Sequence, residues 1–257
     1  MNLQKTRSYL RQNFIFYLVG ALVVLGIKYY YSQADCDSLL WILAPTAYWV
    51  EILSGIPFTY ISGTGYVNHS LRLLIAPTCS GVRFMTITSA MLIFSFVHIV
   101  ASPKKTPVPN TLLRTVRGLG WIAASVAFSW FFTVFVNGLR IITAICLPLY
   151  LERAGLMEGS LTSDRLHTMI GVVVYFIALL TLYRLAAYLI QRRNSLIWPP
   201  VFWYFFMTVG LPFLNRAYLN GTAEFTEYTV LIICCLALIL LPYCLVLLLH
   251  NQSRSKK

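Results

Sequence analysis

The sequence predicts an all-α fold, a polytopic bundle of transmembrane helices with six to eight membrane segments. Two observations support this class: 58% of the 257 residues are hydrophobic while only 11% are charged, and the mean hydropathy is +0.72. Soluble domains carry about 25% charged residues, so this composition excludes an ordinary water-soluble protein. The length leaves room for roughly six to eight helices of about 20 residues and for no sizeable soluble part. We therefore expect residues 1–257 to form a single integral-membrane domain.

Six apolar segments have the length that a bilayer crossing requires. They lie at about 13–31, 84–101, 119–138, 167–190, 196–214 and 228–249. Two shorter apolar stretches, 39–54 and 141–151, leave the number of crossings open. If six segments cross and both termini lie on the same side, residues 32–83 stay on the other side on balance. The stretch 39–54 then dips in, lies at the interface, or crosses together with a weaker stretch at 66–78.

The distribution of charge predicts how these segments are oriented. Lys and Arg concentrate in cytoplasmic loops, and four purely basic clusters lie at residues 5–11, 104–117, 192–193 and 254–257. We therefore expect both termini in the cytoplasm. Anionic lipid attracts such clusters, so the net charge of +12 needs no nucleic-acid partner. All eight acidic residues fall between the clusters, on the predicted outer side: Asp35, Asp37, Glu51, Glu152, Glu158, Asp164, Glu224 and Glu227.

Breaker residues add two local expectations. Asn137-Gly138 indicates a helix break near the outer face, and Pro148 is expected to end the helical piece that follows it. The segment 102–109, which contains three prolines, is interpreted as an extended cytoplasmic linker.

Cys79 is the first candidate for chemistry. It lies in the turn-prone run Pro-Thr-Cys-Ser-Gly that leads into the apolar segment beginning at Phe84. A helix N-terminus favours a thiolate, and Arg83, one turn away, is expected to act in the same direction. The alternative is that Cys79 is one more buried thiol.

Arg140 and His167 are the other two candidates, and the predicted topology places both near the outer leaflet with Cys79. A guanidinium near membrane depth normally faces the bundle interior, where it can stabilise an oxyanion or bind a carboxylate. The neighbouring Asn137 favours such a shaped site over a snorkelling Arg that reaches headgroups. The imidazole of His167 titrates near neutrality, so it can act as general base and then general acid. Its alternative role is a helix cap or interfacial residue.

No metal or other cofactor is expected, because His and Cys do not recur at the spacings of metal ligands. Of the six cysteines, four lie in apolar runs, which leaves Cys36 and Cys79 with access to water. A disulfide framework is not expected, although a bridge between these two stays open.

Together, the motifs around Cys79, Arg140 and His167 make the chain resemble the exosortase and archaeosortase family. The resemblance covers about residues 65–190 and leaves two additional C-terminal spans, 196–249, outside it. It implies a polytopic cysteine transpeptidase with Cys79, Arg140 and His167 as catalytic residues, and with Asn137 and Arg83 in supporting or substrate-binding positions. The implied substrates are membrane-anchored proteins with a C-terminal sorting signal, made of a short motif, a transmembrane helix and a basic tail. The acceptor would be water or a lipid or glycan-lipid.

The main hypothesis is therefore a cysteine protease and transpeptidase of the cytoplasmic membrane whose active site faces the extracytoplasmic side. A second hypothesis is a small transporter or anionic-lipid-binding protein that uses Arg140 and Arg83, with Cys79 incidental. A third is a membrane thiol oxidoreductase that uses Cys36 and Cys79.

Overall fold

A computed structural model describes residues 3–101, 111–155, 162–190, 197–219 and 221–255. The predicted linker at 102–109 and the basic pair at 192–193 lie outside the described residues. Three strands, β1 (Thr59–Ile61), β2 (Gly65–Asn68) and β3 (Leu73–Ile75), lie between the second and third helices. The helices are α1 (Leu3–Gln33), α2 (Leu40–Ser54), α3 (Val82–Ala101), α4 (Thr111–Arg153), α5 (Ser163–Leu189), α6 (Trp198–Phe205), α7 (Leu211–Leu214) and α8 (Thr222–Ser255).

Within the described ranges, five helical segments are long and apolar enough to cross a membrane. They are Gln12–Gln33, Pro77–Ala101, Thr111–Arg153, Asp164–Leu189 and Thr222–Pro242, and each overlaps one of the predicted crossings. The predicted segment 196–214 is instead two short helices, α6 and α7, joined by a π-helical turn at Phe206–Gly210. The helix α2, at 15 residues, is also shorter than a crossing requires.

Contacts along α3 give the relative directions of the helices. Trp121 of α4 stacks edge-on against Phe96 near the end of α3, whereas the start of α3 lies against the second half of α4, so these two helices run in opposite directions. In α1, Tyr17 hydrogen-bonds His98 and Gly20 lies against Ile93, so contacts move back along α3 as α1 proceeds, and these two helices are antiparallel as well. The alternating directions inferred from charge agree with this packing.

The predicted helix break at Asn137-Gly138 is wrong. Helix α4 continues without interruption for 43 residues, with Pro148 inside it, and at 1.5 Å per residue it is about 65 Å long. Gly138 serves close packing instead, because a Cβ there would lie 2.5 Å from the indole of Trp49 on α2. The stretch 141–151 is therefore the last part of this helix.

The fold is mostly helical and consistent with the predicted all-α bundle, and it also contains a small sheet that was not predicted. The strands form an antiparallel sheet in the order β1-β2-β3, which rules out a helical crossing at 66–78. Tyr60 and Tyr66 face each other across β1 and β2, with ring centroids 5.3 Å apart. Aromatic pairs of this kind stabilise two neighbouring strands. The strands are only three or four residues long, which is too short for a clear alternating pattern in the sequence.

The β1-β2 turn is held by the carboxylate of Asp37, which lies between α1 and α2. It accepts hydrogen bonds from the backbone N–H of Gly63 at 3.0 Å, from the hydroxyl of Ser62 at 2.8 Å, and from the hydroxyl of Tyr60. These donors lower the pKa of Asp37, and its carboxylate raises the pKa of Tyr60 to about 12. Asp37, one of the acids predicted on the outer side, thereby connects the sheet to the segment between α1 and α2.

Close packing of α1 on α4 at Gly118 can be tested with a matched pair of glycines. A Cβ on Gly118 would lie 2.3 Å from the ring of Phe16, whereas a Cβ on Gly120 would meet nothing within 4 Å. We expect Gly118→Ala to destabilise the fold by about 1–3 kcal/mol through overpacking. Gly120→Ala should raise stability by about 0.4–1 kcal/mol through lower backbone entropy of the unfolded chain. Thermal unfolding in detergent measures both, and equal midpoints would contradict this packing.

Candidate active site

Cys79 lies at the end of a short 3-10 turn, Pro77–Cys79, just before α3. Its backbone N–H donates to the carbonyl of Ala76 at 2.8 Å. The chain then enters α3 through Gly81, whose φ of +77° favours glycine. A Cβ at Gly81 would lie 2.9 Å from Thr133 and 3.1 Å from Asn137, both on α4. The segment that carries Cys79 is thus seated directly on α4.

The side chain of Asn137 joins three parts of the site. It is fully buried, and its Nδ2 donates to the backbone carbonyl of Cys79 at 2.6 Å. Its Oδ1 accepts from the hydroxyl of Tyr175 on α5 at 2.6 Å and from Nη1 of Arg140 at 3.3 Å. Asn137 and Arg140 are three residues apart on a continuous helix, so they lie on the same face. An unbroken α4 is what places both side chains in one site.

Arg140 contacts His167 directly. Its Nη2 lies 2.5 Å from Nε2 of His167, and its guanidinium sits over the ring of Tyr175, 5.7 Å from the centroid. A guanidinium only donates hydrogen bonds, so Nε2 of His167 is the acceptor in this contact. Arg140 is 6% exposed, and a buried guanidinium needs such partners.

The thiol of Cys79 completes the cluster. It lines one cavity together with His167, and it lies near enough to both His167 and Arg140 for their charges to act on it. The three predicted catalytic residues, 79, 140 and 167, therefore meet in one place although they come from three different elements. Cys79 is half-buried and His167 is exposed, so the reacting groups are accessible from outside the bundle.

Two cavities meet at His167. The larger, of about 290 Å³, is lined by Arg83, Arg140 and several hydroxyl side chains, and we call it the arginine cavity. Its hydroxyl-bearing lining residues are Tyr31, Thr78, Thr168, Tyr175, Tyr204, Thr208 and Tyr228. The smaller, of about 140 Å³, is lined by Cys79, His167 and apolar residues, and we call it the cysteine cavity. The candidate site thus has an apolar compartment on the thiol side and a polar, basic one on the guanidinium side.

Arg83 occupies a different place from the one its spacing suggested. It lines the arginine cavity, whereas Cys79 lines the cysteine cavity. Arg83 is thus positioned to bind a ligand in the larger compartment. The groups that the structure brings to the thiol are those of Arg140 and His167.

The sequence analysis did not identify Tyr175 as a site residue. A spacing of four residues could have revealed it. His167, Gly171 and Tyr175 follow one another at intervals of about one turn on α5, and Gly171 lies beside the Arg140 side chain, whose Nε would be 3.7 Å from a Cβ at this position. The same spacing marks a buried polar stripe on α4, formed by Ser125, Ser129, Thr133 and Asn137.

Cys36 does not share this site in the way that the oxidoreductase hypothesis needs. It is 3% exposed, and both Cys36 and Cys79 are free thiols. Burial raises the pKa of Cys36, and the charges of Asp37 and Asp35 act in the same direction. The expectation that Cys36 has ready access to water is wrong. Among the residues that the structure describes, no three His, Cys, Asp or Glu side chains cluster as a metal site.

A comparison of this chain with protein-family models, with curated proteins and with solved structures finds no match.

The role of Asn137 as the central hydrogen-bonding group can be tested against a neighbour on the same stripe. Asn137→Ala leaves the Tyr175 hydroxyl and one Arg140 donor without a partner, which should cost about 1–3 kcal/mol of stability. Ser129 is equally buried, but no described residue hydrogen-bonds its hydroxyl, so Ser129→Ala should change stability little. Thermal unfolding of the two variants in detergent measures the difference in stability. An equal loss in both would mean that Asn137 only fills space.

Proposed function

We propose that this protein is a membrane-embedded cysteine protease and transpeptidase, similar to exosortases and archaeosortases. It cleaves the C-terminal sorting signal of exported, membrane-anchored proteins through a thioester acyl-enzyme. The observation that carries the proposal is the convergence of three groups where two cavities meet: Arg140 contacts His167, and Cys79 lines one of the two cavities with His167. A nucleophile, a base within hydrogen-bonding reach and a cation for the developing charge are the groups that acyl transfer by a thiol requires.

In the acylation step, the guanidinium of Arg140 turns from Nε2 of His167 to the carbonyl oxygen of the substrate. The freed Nε2 accepts the proton of the Cys79 thiol, and the sulfur attacks the carbonyl carbon of the scissile peptide bond. Negative charge develops on the carbonyl oxygen, where the guanidinium of Arg140 stabilises it. The C–N bond then breaks, and His167 gives its proton to the leaving amine. The products of this step are a thioester on Cys79 and the released signal with a free amine.

In the second step, an acceptor attacks the thioester carbon. His167 removes a proton from the attacking amine or water, the C–S bond breaks, and Cys79 regains its proton. The arginine cavity shares His167 with the cysteine cavity and gives the acceptor a place beside this base. Whether water or a lipid or glycan-lipid occupies it decides between hydrolysis and transpeptidation.

Asn137 and Tyr175 act as positioning residues in this mechanism. Asn137 anchors the backbone of Cys79 while it orients Arg140, and the Tyr175 hydroxyl fixes the amide of Asn137 in turn. Reacting groups held in this way need little reorganisation at the moment of reaction.

The proposed location is the cytoplasmic membrane, with both termini inside and the site on the extracytoplasmic side. Cys79 at the start of α3, Arg140 in the second half of α4 and His167 at the start of α5 lie at one end of the bundle. Asp35, Asp37 and the sheet belong to the same end, which matches the predicted outer position of the acids. Arg114 and Arg117, on the first turns of α4, belong to the other end and favour a cytoplasmic position there.

One observation favours the second candidate function, binding or transport of an anionic ligand. Arg83 and Arg140 both line the arginine cavity, and none of its described lining residues is acidic. The Nε of Arg140 is buried without a hydrogen-bond partner among the described residues, and it faces Gly171 on the cavity wall. A phosphate or carboxylate would satisfy these donors.

Substitutions at the site separate the two candidates. We expect Cys79→Ala to abolish processing of a co-expressed protein that carries a short motif, a single span and a basic tail. Arg140→Ala should lower the processing rate by about 10²–10³-fold, as loss of an oxyanion donor does. Cys146, an exposed cysteine on α4, is the matched control, and Cys146→Ala should process normally. Pulse labelling followed by gel electrophoresis measures the cleaved product.

The outcomes differ between the candidates. Normal processing by Cys79→Ala or Cys79→Ser protein would exclude the thioester mechanism. If Cys79→Ala is silent while Arg140→Ala and Arg83→Ala both lose function, anion binding is the better description. Normal membrane levels of each variant, measured by immunoblot, are required for either conclusion.

A further inference from the structure

The third strand of the sheet, β3, borders the cysteine cavity along its whole length. It is an edge strand, because β2 pairs with one side of it and no described strand follows on the other. All three of its residues, Leu73, Leu74 and Ile75, line the cavity. Side chains alternate between the two faces of a strand, so three successive residues reach one cavity only where it runs along the strand edge. The cavity is thus open to the backbone of β3.

The backbone groups of Leu74 face this open edge. The carbonyl oxygen of Ile75 lies against Gly65 of β2, 2.5 Å from where a Cβ would stand, so Ile75 directs its polar groups toward β2. In an antiparallel ladder the direction alternates with each residue. Leu74 therefore directs its N–H and C=O away from β2, into the cavity.

The opposite wall of the cavity is apolar. It is formed by Ile141, Ala144 and Ile145, which lie on one face of α4, and Phe58 closes one side. Cys79 and His167 line the same space, and only three residues separate β3 from Cys79. A chain lying along β3 would pair with its backbone, place an apolar side chain toward α4, and pass the thiol.

We propose that the substrate binds as an added β-strand on the open edge of β3, with an apolar side chain next to the scissile carbonyl held in the cysteine cavity. This inference rests on the proposed function and specifies its substrate: an extended peptide segment with a medium-sized apolar residue at that position. An unpaired N–H and C=O select a peptide over a lipid chain, because only a peptide backbone supplies partners for both. The paired backbone also sets the register that brings one carbonyl to the sulfur.

Peptide electrophiles test this without knowledge of the natural substrate. The probe is acetyl-Ala-Ala-Leu chloromethyl ketone, and chloroacetone is the same electrophile without a peptide. We expect the peptide to alkylate Cys79 of the full-length protein in detergent at least about tenfold faster than chloroacetone, since one backbone hydrogen bond is worth about 1 kcal/mol and apolar burial adds to it. Mass spectrometry measures the rate at Cys79, with Cys146 as the reference site. Asp in place of Leu in the probe should remove most of the advantage.

N-methylation of the probe gives the signature of strand addition. Only every second amide of an added strand donates to its neighbour. Two methylated probes are compared, one with a methyl group on the middle amide and one with methyl groups on both outer amides. One of the two should alkylate Cys79 several-fold more slowly than the unmethylated probe, while the other should react at nearly the same rate. Equal effects of both patterns, or no advantage over chloroacetone, would overturn the proposal.

Two protein variants test whether β3 and the cysteine cavity bind the peptide probe. Leu74→Pro removes only the N–H that faces the open edge, and proline is tolerated at such a position. It should slow the peptide probe but not chloroacetone. Ala144→Phe fills the cavity and should do the same, whereas Ala123→Phe, at an exposed position earlier on α4, should leave the peptide rate unchanged. If either α4 variant fails to fold, chloroacetone labelling reveals it, and Leu74→Pro still decides.

Failure of this inference is distinguishable from failure of the proposed function. If His167→Ala leaves the chloroacetone rate at Cys79 unchanged, the thiol is not activated and the proposed mechanism fails. If that rate falls while the peptide has no advantage, the mechanism stands and strand addition is wrong. Loss of the peptide advantage on addition of phosphatidylcholine, with chloroacetone unaffected, would assign the cavity to a lipid chain instead.

Discussion

The side-chain amide of Asn137 is the interaction on which the geometry of the site depends. Its donor group holds the carbonyl of Cys79, and its oxygen accepts from Arg140 and Tyr175, so one buried residue connects the start of α3 with α4 and α5. In a low-dielectric interior, each of these polar groups would be costly to leave unpaired. The network therefore specifies one arrangement of the three helices at this end of the bundle.

Close packing of α3 on α4 makes this network possible. One face of α4 carries the buried residues Ser125, Ser129 and Thr133, and Asn137 follows on the same face. Small side chains of this kind allow helices to approach closely within a membrane. Gly81 lets the segment that carries Cys79 come equally close to α4 at Thr133 and Asn137. The reactive groups are thus carried by rigid elements, while the two cavities beside them stay open for ligands.

The small sheet gives the site a feature that a helical bundle lacks. Helices satisfy their backbone groups internally, so they cannot offer a pairing edge to a substrate. Asp37 holds the β1-β2 turn of this sheet, and the strand β3 presents such an edge, with three residues between it and Cys79. A catalytic cluster made by helices and a peptide-binding edge made by strands would divide cleavage and recognition between two kinds of structure.

Composition and hydropathy by themselves determined the membrane-helical class and the approximate position of five long apolar helices, because a crossing helix needs about 20 apolar residues in a row. Residue chemistry marked Cys79, Arg140 and His167, since a thiol, a guanidinium and an imidazole at the ends of apolar segments stand out against their surroundings. Only the tertiary structure decided what Asn137-Gly138 does. In sequence, this pair is compatible with a helix break or with a close contact between helices. The structure shows close contacts, of Gly138 with Trp49 and of Asn137 with Cys79. The sequence also did not predict the sheet, because strands of three or four residues form through long-range contacts. The position of Arg83 was not predicted for a similar reason, since packing of distant segments decides which cavity a side chain faces.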